Sequence, residues 1–231
     1  MSRRQVEQRI GLIGGLSWES TATYYKYFNQ LAAKHNNWSQ PKLLIDSLDF
    51  GVIVPFQQAQ DWAATGEILA NSARRLVNGG ATIIGIGANT MHINFEAVQS
   101  AVDVPVIDVR TAVAQEVISN GFSKMALLGT KYVLEEDFYS DKLSECGITV
   151  IKPDSGRVDE LQKIVFDELT QGIVRNDSRK FLIQVSNECI TAGAEVIGLC
   201  CTEFGLLLSE NEVFPSIDST KAHVRALLAY K

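Results

Sequence analysis

The chain has 231 residues, 46% of them hydrophobic and 21% charged, with a formal net charge of −6. That length supports one large domain or two small ones around a real apolar core, in an ordinary soluble globular balance. An acidic chain with no dense Lys/Arg run argues against nucleic acid or an anionic membrane as partner. No apolar stretch approaches the roughly 18 residues of a membrane span, and "MSRRQVEQRIGLIGG" lacks a signal-peptide core, so a cytoplasmic location is expected.

In chain order, "RIGLIGGLSWES" reads as a strand, a glycine turn at Gly14-Gly15 and the start of a helix, which continues through "STATYYKYFNQLAAKH". "TGEILANSARRLVNGG" is a second helical pattern closed by a glycine C-cap. "GATIIGIGANT" is a strand ending in a polar turn, and "VPVID" follows it. The same order then returns. "KMALLGTKYVLEEDFY" has the shape of the first phrase, "VDELQKIVFDELTQG" and "DSRKFLIQVSNECITAG" are helical, "GAEVIGLCCTE" matches "GATIIGIGANT", and "VFPSID" matches "VPVID". Gly80 maps onto Gly193, and the same displacement of 113 residues carries Ala88 onto Cys201. Three matched phrases in one order indicate a duplicated α/β unit.

Strands alternating with helices form parallel sheets covered on both faces. The expected fold is therefore α/β, with two pseudo-symmetric lobes and an active site in the cleft between them. The first lobe is assigned residues 1–106 plus 210–231, "STKAHVRALLAYK" being a helix that returns to it, and the second lobe residues 107–209. Ligands of open parallel sheets bind beyond the C-terminal strand ends. Both "ANTMH" and "CTEFG" stand there, and the helix N-termini behind them suit a carboxylate or phosphate.

The four cysteines are Cys146, Cys189, Cys200 and Cys201, and their spacing fits neither a zinc knuckle nor a disulfide framework. Cysteine is usually a small buried hydrophobe, which is the reading for the first three. Cys201 differs, because a strand end before a helix N-terminus is expected to lower its thiol pKa. His35, His92 and His223 supply a zinc site or a hydrolase triad poorly, and His92 reads as a packing or helix-start residue. "GLIGGLSWES" departs from the dinucleotide pattern GxGxxG.

Taken together, "IGLIGGLSWESTATYY", "SLDF", "ANTMH", "ALLGTKYVLEEDFY" and "CTEFG" resemble the aspartate/glutamate racemase superfamily, above all its aspartate racemase and broad-specificity amino-acid racemase members. The resemblance implies an enzyme that uses neither pyridoxal phosphate nor a metal and acts on an amino acid or dicarboxylate, as a homodimer. Two residues facing each other across the substrate Cα exchange its proton; in the family both are usually cysteines, with threonine at the first place in some members. Here these positions are Ala88 and Cys201. The resemblance assigns substrate binding to Asn89, Thr90 and Thr202, with Thr130 lining the same cleft, Ser17 in a substrate loop and Gln57 as a side-chain contact. Glu203 either tunes Cys201 or complements a helix dipole.

With alanine at position 88, only half a proton relay is present. Three readings stay open: a racemase altered at one position, a single-cysteine decarboxylase of malonate-type acids, and a non-catalytic binder of acidic amino acids.

Overall fold

The computed structural model describes residues 7–33 and 38–230, so His35 and the ends of the chain fall outside the described residues. The elements run β1 (Ile10–Gly14), α1 (Trp18–Ala33), β2 (Leu43–Ser47), α2 (Phe50–Gln58), α3 (Trp62–Asn78), β3 (Ile83–Ile86), α4 (Phe95–Gln99) and β4 (Val106–Ile107). They continue with α5 (Val109–Ser119), β5 (Lys124–Leu128), α6 (Lys131–Glu135), α7 (Asp137–Glu145), β6 (Thr149–Ile151), α8 (Ser155–Lys163), α9 (Asn176–Thr191), β7 (Val196–Leu199), α10 (Phe204–Leu207), β8 (Ser216–Asp218) and α11 (Ser219–Ala229).

Two four-stranded sheets result, ordered β2-β1-β3-β4 and β6-β5-β7-β8. Every pairing is parallel. The second sheet thus repeats the first strand for strand, and the duplication legible in the phrases is present in the topology. Registers agree as well: Ile84 faces Val106 in the first sheet, and Ile197 faces Ser216 in the second. The two central pairs are buried along nearly their whole length, as parallel strands covered on both faces must be.

The core of the first sheet joins Ile10, Leu12 and Ile83 to Tyr24 and Phe28 of α1 and to Val224 and Leu227 of α11. Tyr24 and Phe28 lie one helical turn apart with ring centroids 6.2 Å from each other, so α1 presents one aromatic stripe to the sheet. Each such side chain contributes roughly 1.5–3 kcal/mol on burial. In the second sheet, Met125, Leu127, Ile197 and Leu199 are fully covered, with Leu143, Leu161 and Leu182 packed from the helices.

The turn leaving β1 requires glycine. Gly15 has φ +69°, and a Cβ there would lie 2.0 Å from the Leu48 carbonyl oxygen. The chain enters α1 through Ser17, whose Oγ accepts a hydrogen bond from the Ser20 N–H at 3.1 Å as the helix cap. Ser17 itself has φ +155°, a conformation side chains rarely adopt.

The residues form two compact units. One comprises the described part of Met1–Gly87, Asn94–Asp108 and Val224–Lys231; the other comprises Ala88–Ile93 and Val109–His223. The chain therefore divides at 87/88, 93/94, 108/109 and 223/224, where the phrases of the sequence suggested 106/107 and 209/210. The "ANTMH" turn groups with the second unit, although the strand before it is β3 of the first.

Candidate active site

Seven of the nine candidate residues, Ala88, Asn89, Thr90, Thr130, Cys201, Thr202 and Glu203, fall in the second unit; Ser17 and Gln57 fall in the first. In the second unit most of them touch one another or share a partner.

β7 ends at Leu199, and the chain turns through Cys200-Cys201-Thr202-Glu203 into α10. The Cys201 thiol donates to Glu203 Oε2 at 3.1 Å, and the Thr202 hydroxyl donates to the same oxygen at 2.5 Å. All three side chains are about 5% exposed. One carboxylate oxygen therefore collects a thiol and a hydroxyl proton in a dry setting. Burial, and then the Glu203 carboxylate, push the Cys201 thiol well above the ordinary range. This reverses the expectation of a lowered thiol pKa. α10 has only four residues, too few aligned peptides to offset burial and a carboxylate two positions on. The resting Cys201 is a protonated thiol aimed at a base.

The turn after β3 is built differently. Thr90–Asn94 is a 3-10 helix leading into the five-residue α4, so neither turn opens a long helix of the kind the sequence suggested for anion binding. Ala88 is half-buried. Its carbonyl lies 2.8 Å from His92 Nδ1, and His92 Nε2 accepts the Val109 N–H at 3.1 Å. A nitrogen that accepts an N–H carries no proton, so Nδ1 holds it and donates to Ala88. His92 is completely buried and stands edge-on to His223, ring centroids 5.6 Å apart. It packs, as the sequence suggested, and it also fastens the turn. Thr90 Oγ1 and Thr130 Oγ1 lie 2.8 Å apart, and Thr130 caps α6 through the Val133 N–H at 3.4 Å. Asn89 is hydrogen-bonded to Tyr139 and Ser219. Neither of these had been singled out, although Tyr139 closes the quoted phrase "EEDFY" and Ser219 follows "VFPSID".

In the first unit, α2 is capped by Asp49 through the Gly51 N–H at 2.9 Å, which aims Gln57 inward. Gln57 is 3% exposed, and its Oε1 has no hydrogen-bond partner among the described residues. A buried acceptor without a partner costs free energy of about 1–3 kcal/mol, so this amide is one that a ligand would satisfy. Among the described residues no group of three or more His, Cys, Asp or Glu side chains is arranged to hold a metal ion. None of the described helices is long and apolar enough to cross a membrane.

Two repeated parallel sheets define a duplicated α/β fold, with a thiol beside a carboxylate at the end of one central strand. Residues 13–227 match the Asp/Glu/hydantoin racemase family, and the chain belongs to it. The broad specificity amino-acid racemase RacX of Bacillus subtilis (strain 168) is 25% identical over 234 residues, covering 96% of this chain and 99% of RacX. An aspartate racemase homologue from Pyrococcus horikoshii OT3 has a TM-score of 0.82 and 34% identity, with 96% of this chain and 97% of that one covered. The Picrophilus torridus aspartate racemase shares the fold at 21% identity, with a TM-score of 0.76 over 96% and 93% of the two chains.

Proposed function

We propose that the protein is a cofactor-independent amino-acid racemase by lineage, acting at the Cα of Asp, Glu or a related amino acid, with Cys201 as its one ionisable proton carrier. The observation that carries this reading is the Cys201–Glu203 pair at 3.1 Å, in a chain whose family matches over residues 13–227. Glu203 takes the thiol proton, and the thiolate removes the substrate Cα proton, which regenerates the thiol and leaves a carbanion. Asn89, Thr90, Thr130 and Thr202 bind the substrate. Alanine at position 88 supplies no proton to the other side of that carbanion, so the proton returns from the same thiol with retention.

Proton NMR in heavy water tests this by following the Cα signal of each enantiomer of Asp, Glu and other amino acids. Exchange faster than inversion is the expected result. Absence of exchange with every amino acid overturns it, and binding without exchange would make the protein a binder. The resting protonated thiol also favours a second reading, in which Cys201 protonates the carbanion left when a malonate-type acid loses carbon dioxide. Carbon dioxide release from an alkyl or aryl malonate would establish that activity.

A further inference from the structure

The second unit contains a buried chain of hydrogen bonds that runs from Tyr139 of α7 to the end of β7. Ser219 Oγ lies 2.9 Å from the Leu199 carbonyl oxygen and 2.9 Å from Asn89 Nδ2. A carbonyl only accepts, so the single Ser219 proton goes to Leu199, and the Ser219 oxygen accepts from Asn89. That orients the amide. Asn89 Oδ1 faces the other way and takes the proton of the Tyr139 hydroxyl at 3.1 Å. Donation therefore runs one way, from Tyr139 through Asn89 and Ser219 to the Leu199 carbonyl, and aligned chains of this kind strengthen each member. Tyr139 and Ser219 are completely buried, and Asn89 is 4% exposed. Among the described residues the second Nδ2 proton of Asn89 has no partner.

We propose that Tyr139 and Ser219 are positioning residues. They hold the Asn89 amide so that its one free N–H is presented to a substrate carboxylate, and they tie it to the strand end that carries Cys201. This rests on the reading of Asn89 as a substrate ligand. It adds two residues from α7 and α11 that act through Asn89 and do not themselves meet the substrate.

The test compares Tyr139→Phe, Ser219→Ala, Ser219→Thr, Asn89→Ala and the double variant Tyr139→Phe/Asn89→Ala. Two readouts are taken: the dissociation constant of the tightest binder among L-aspartate, L-glutamate and L-lysine, and the side-chain amide signals of Asn89 in nitrogen-15 NMR spectra. Tyr139→Phe and Ser219→Ala should each weaken binding about three- to tenfold, the worth of one neutral hydrogen bond. Ser219→Thr, which keeps the hydroxyl, should restore it. Tyr139→Phe should add nothing in the Asn89→Ala background. The shift difference between the two amide proton signals of Asn89 should be larger in the parent than in Tyr139→Phe. If Asn89→Ala weakens binding while Tyr139→Phe and Ser219→Ala bind like the parent, positioning is wrong although the substrate reading stands. An equal loss from Tyr139→Phe in the Asn89→Ala background would also overturn positioning, since a general structural role predicts it. If none of the three amino acids binds, the substrate reading fails on its own, and unchanged Asn89 amide signals in Tyr139→Phe would defeat the clamp.

Discussion

After β3 the chain leaves through Ala88-Asn89-Thr90; after β7 it leaves through Cys201-Thr202-Glu203. The strands before them are both short, buried and centrally placed in sheets of the same order. The first turn is neutral and fastened at each polar residue, with His92 on the Ala88 carbonyl, Tyr139 and Ser219 on Asn89, and Thr130 on Thr90. The second gathers a thiol and a hydroxyl on one carboxylate oxygen. Repetition has kept the strand order that places the two turns, and the ionisable chemistry has been concentrated in one of them. The first behaves as a holder and the second as a reagent.

The largest expected effect comes from making the two turns alike. Ala88→Cys places a thiol on the half-buried first turn and should raise inversion of Asp or Glu enantiomers by about 10²–10⁴-fold. Adding Cys201→Ala should abolish the gain. Chiral chromatography of both enantiomers reads the result, and a folded, substrate-binding Ala88→Cys variant with no gain would show that positions 88 and 201 do not serve one substrate carbon.

A smaller change would weaken the reagent turn. Glu203→Gln removes the second of the two influences that raise the Cys201 thiol, after burial. The thiol should then ionise at lower pH, with alkylation by iodoacetamide at pH 9 faster by about tenfold for each pKa unit recovered. Burial should still hold it above the ordinary range. In the parent, Cys146 should label first, because it is the one cysteine of the four that is not buried. The lowered thiol pKa expected from the sequence would instead make Cys201 label first. Mass spectrometry of partially alkylated protein decides both points, and early labelling of Cys201 in the parent would show that its thiol is not held protonated.

In the first unit, Gln57→Leu should stabilise the fold by about 1 kcal/mol, since it replaces a buried, unpartnered amide with an apolar side chain. For a chain of this size that is a rise in Tm of about 2–4 °C. Substrate binding should weaken in the same variant. A lower Tm with unchanged binding would make Gln57 structural.

A further effect appears only at alkaline pH. Burial raises the Cys189 thiol to about 11 and the Cys200 thiol to about 12. The unfolded chain releases these protons near pH 9, and the folded chain keeps them. Folded stability is therefore intact below pH 9 and falls as pH rises toward 11–12. Thermal melts from pH 8 to 11 should show this decline, and it should be shallower in a Cys189→Ala/Cys200→Ala variant.

The parts of this arrangement that are legible in the sequence are those written as local pattern. Strand, turn and helix recur with period-like order, so both sheets and the positions of Ala88 and Cys201 can be read from the phrases alone. The direction of the Cys201 shift could not be, because it depends on burial and on a side chain two residues away rather than on helix length. The roles of Tyr139 and Ser219 were hidden for a related reason. They meet Asn89 across 50 and 130 residues of chain, and only the tertiary fold brings them together. His92 looked like packing because a buried imidazole shows its purpose only through the two backbone groups it joins.

The return of the chain between units has a consequence for how this protein can be divided. The six residues Ala88–Ile93 belong with Val109–His223, and α11 starts in one unit and finishes in the other. A gene cut at 108/109 would give a second half without Asn89 and Thr90, leaving Tyr139, Ser219 and Thr130 without the partners they hold. The halves are copies in sequence but are not interchangeable modules. Any swap of one half for a relative's must carry the borrowed hexapeptide with it, or the recipient inherits a reagent without its holder.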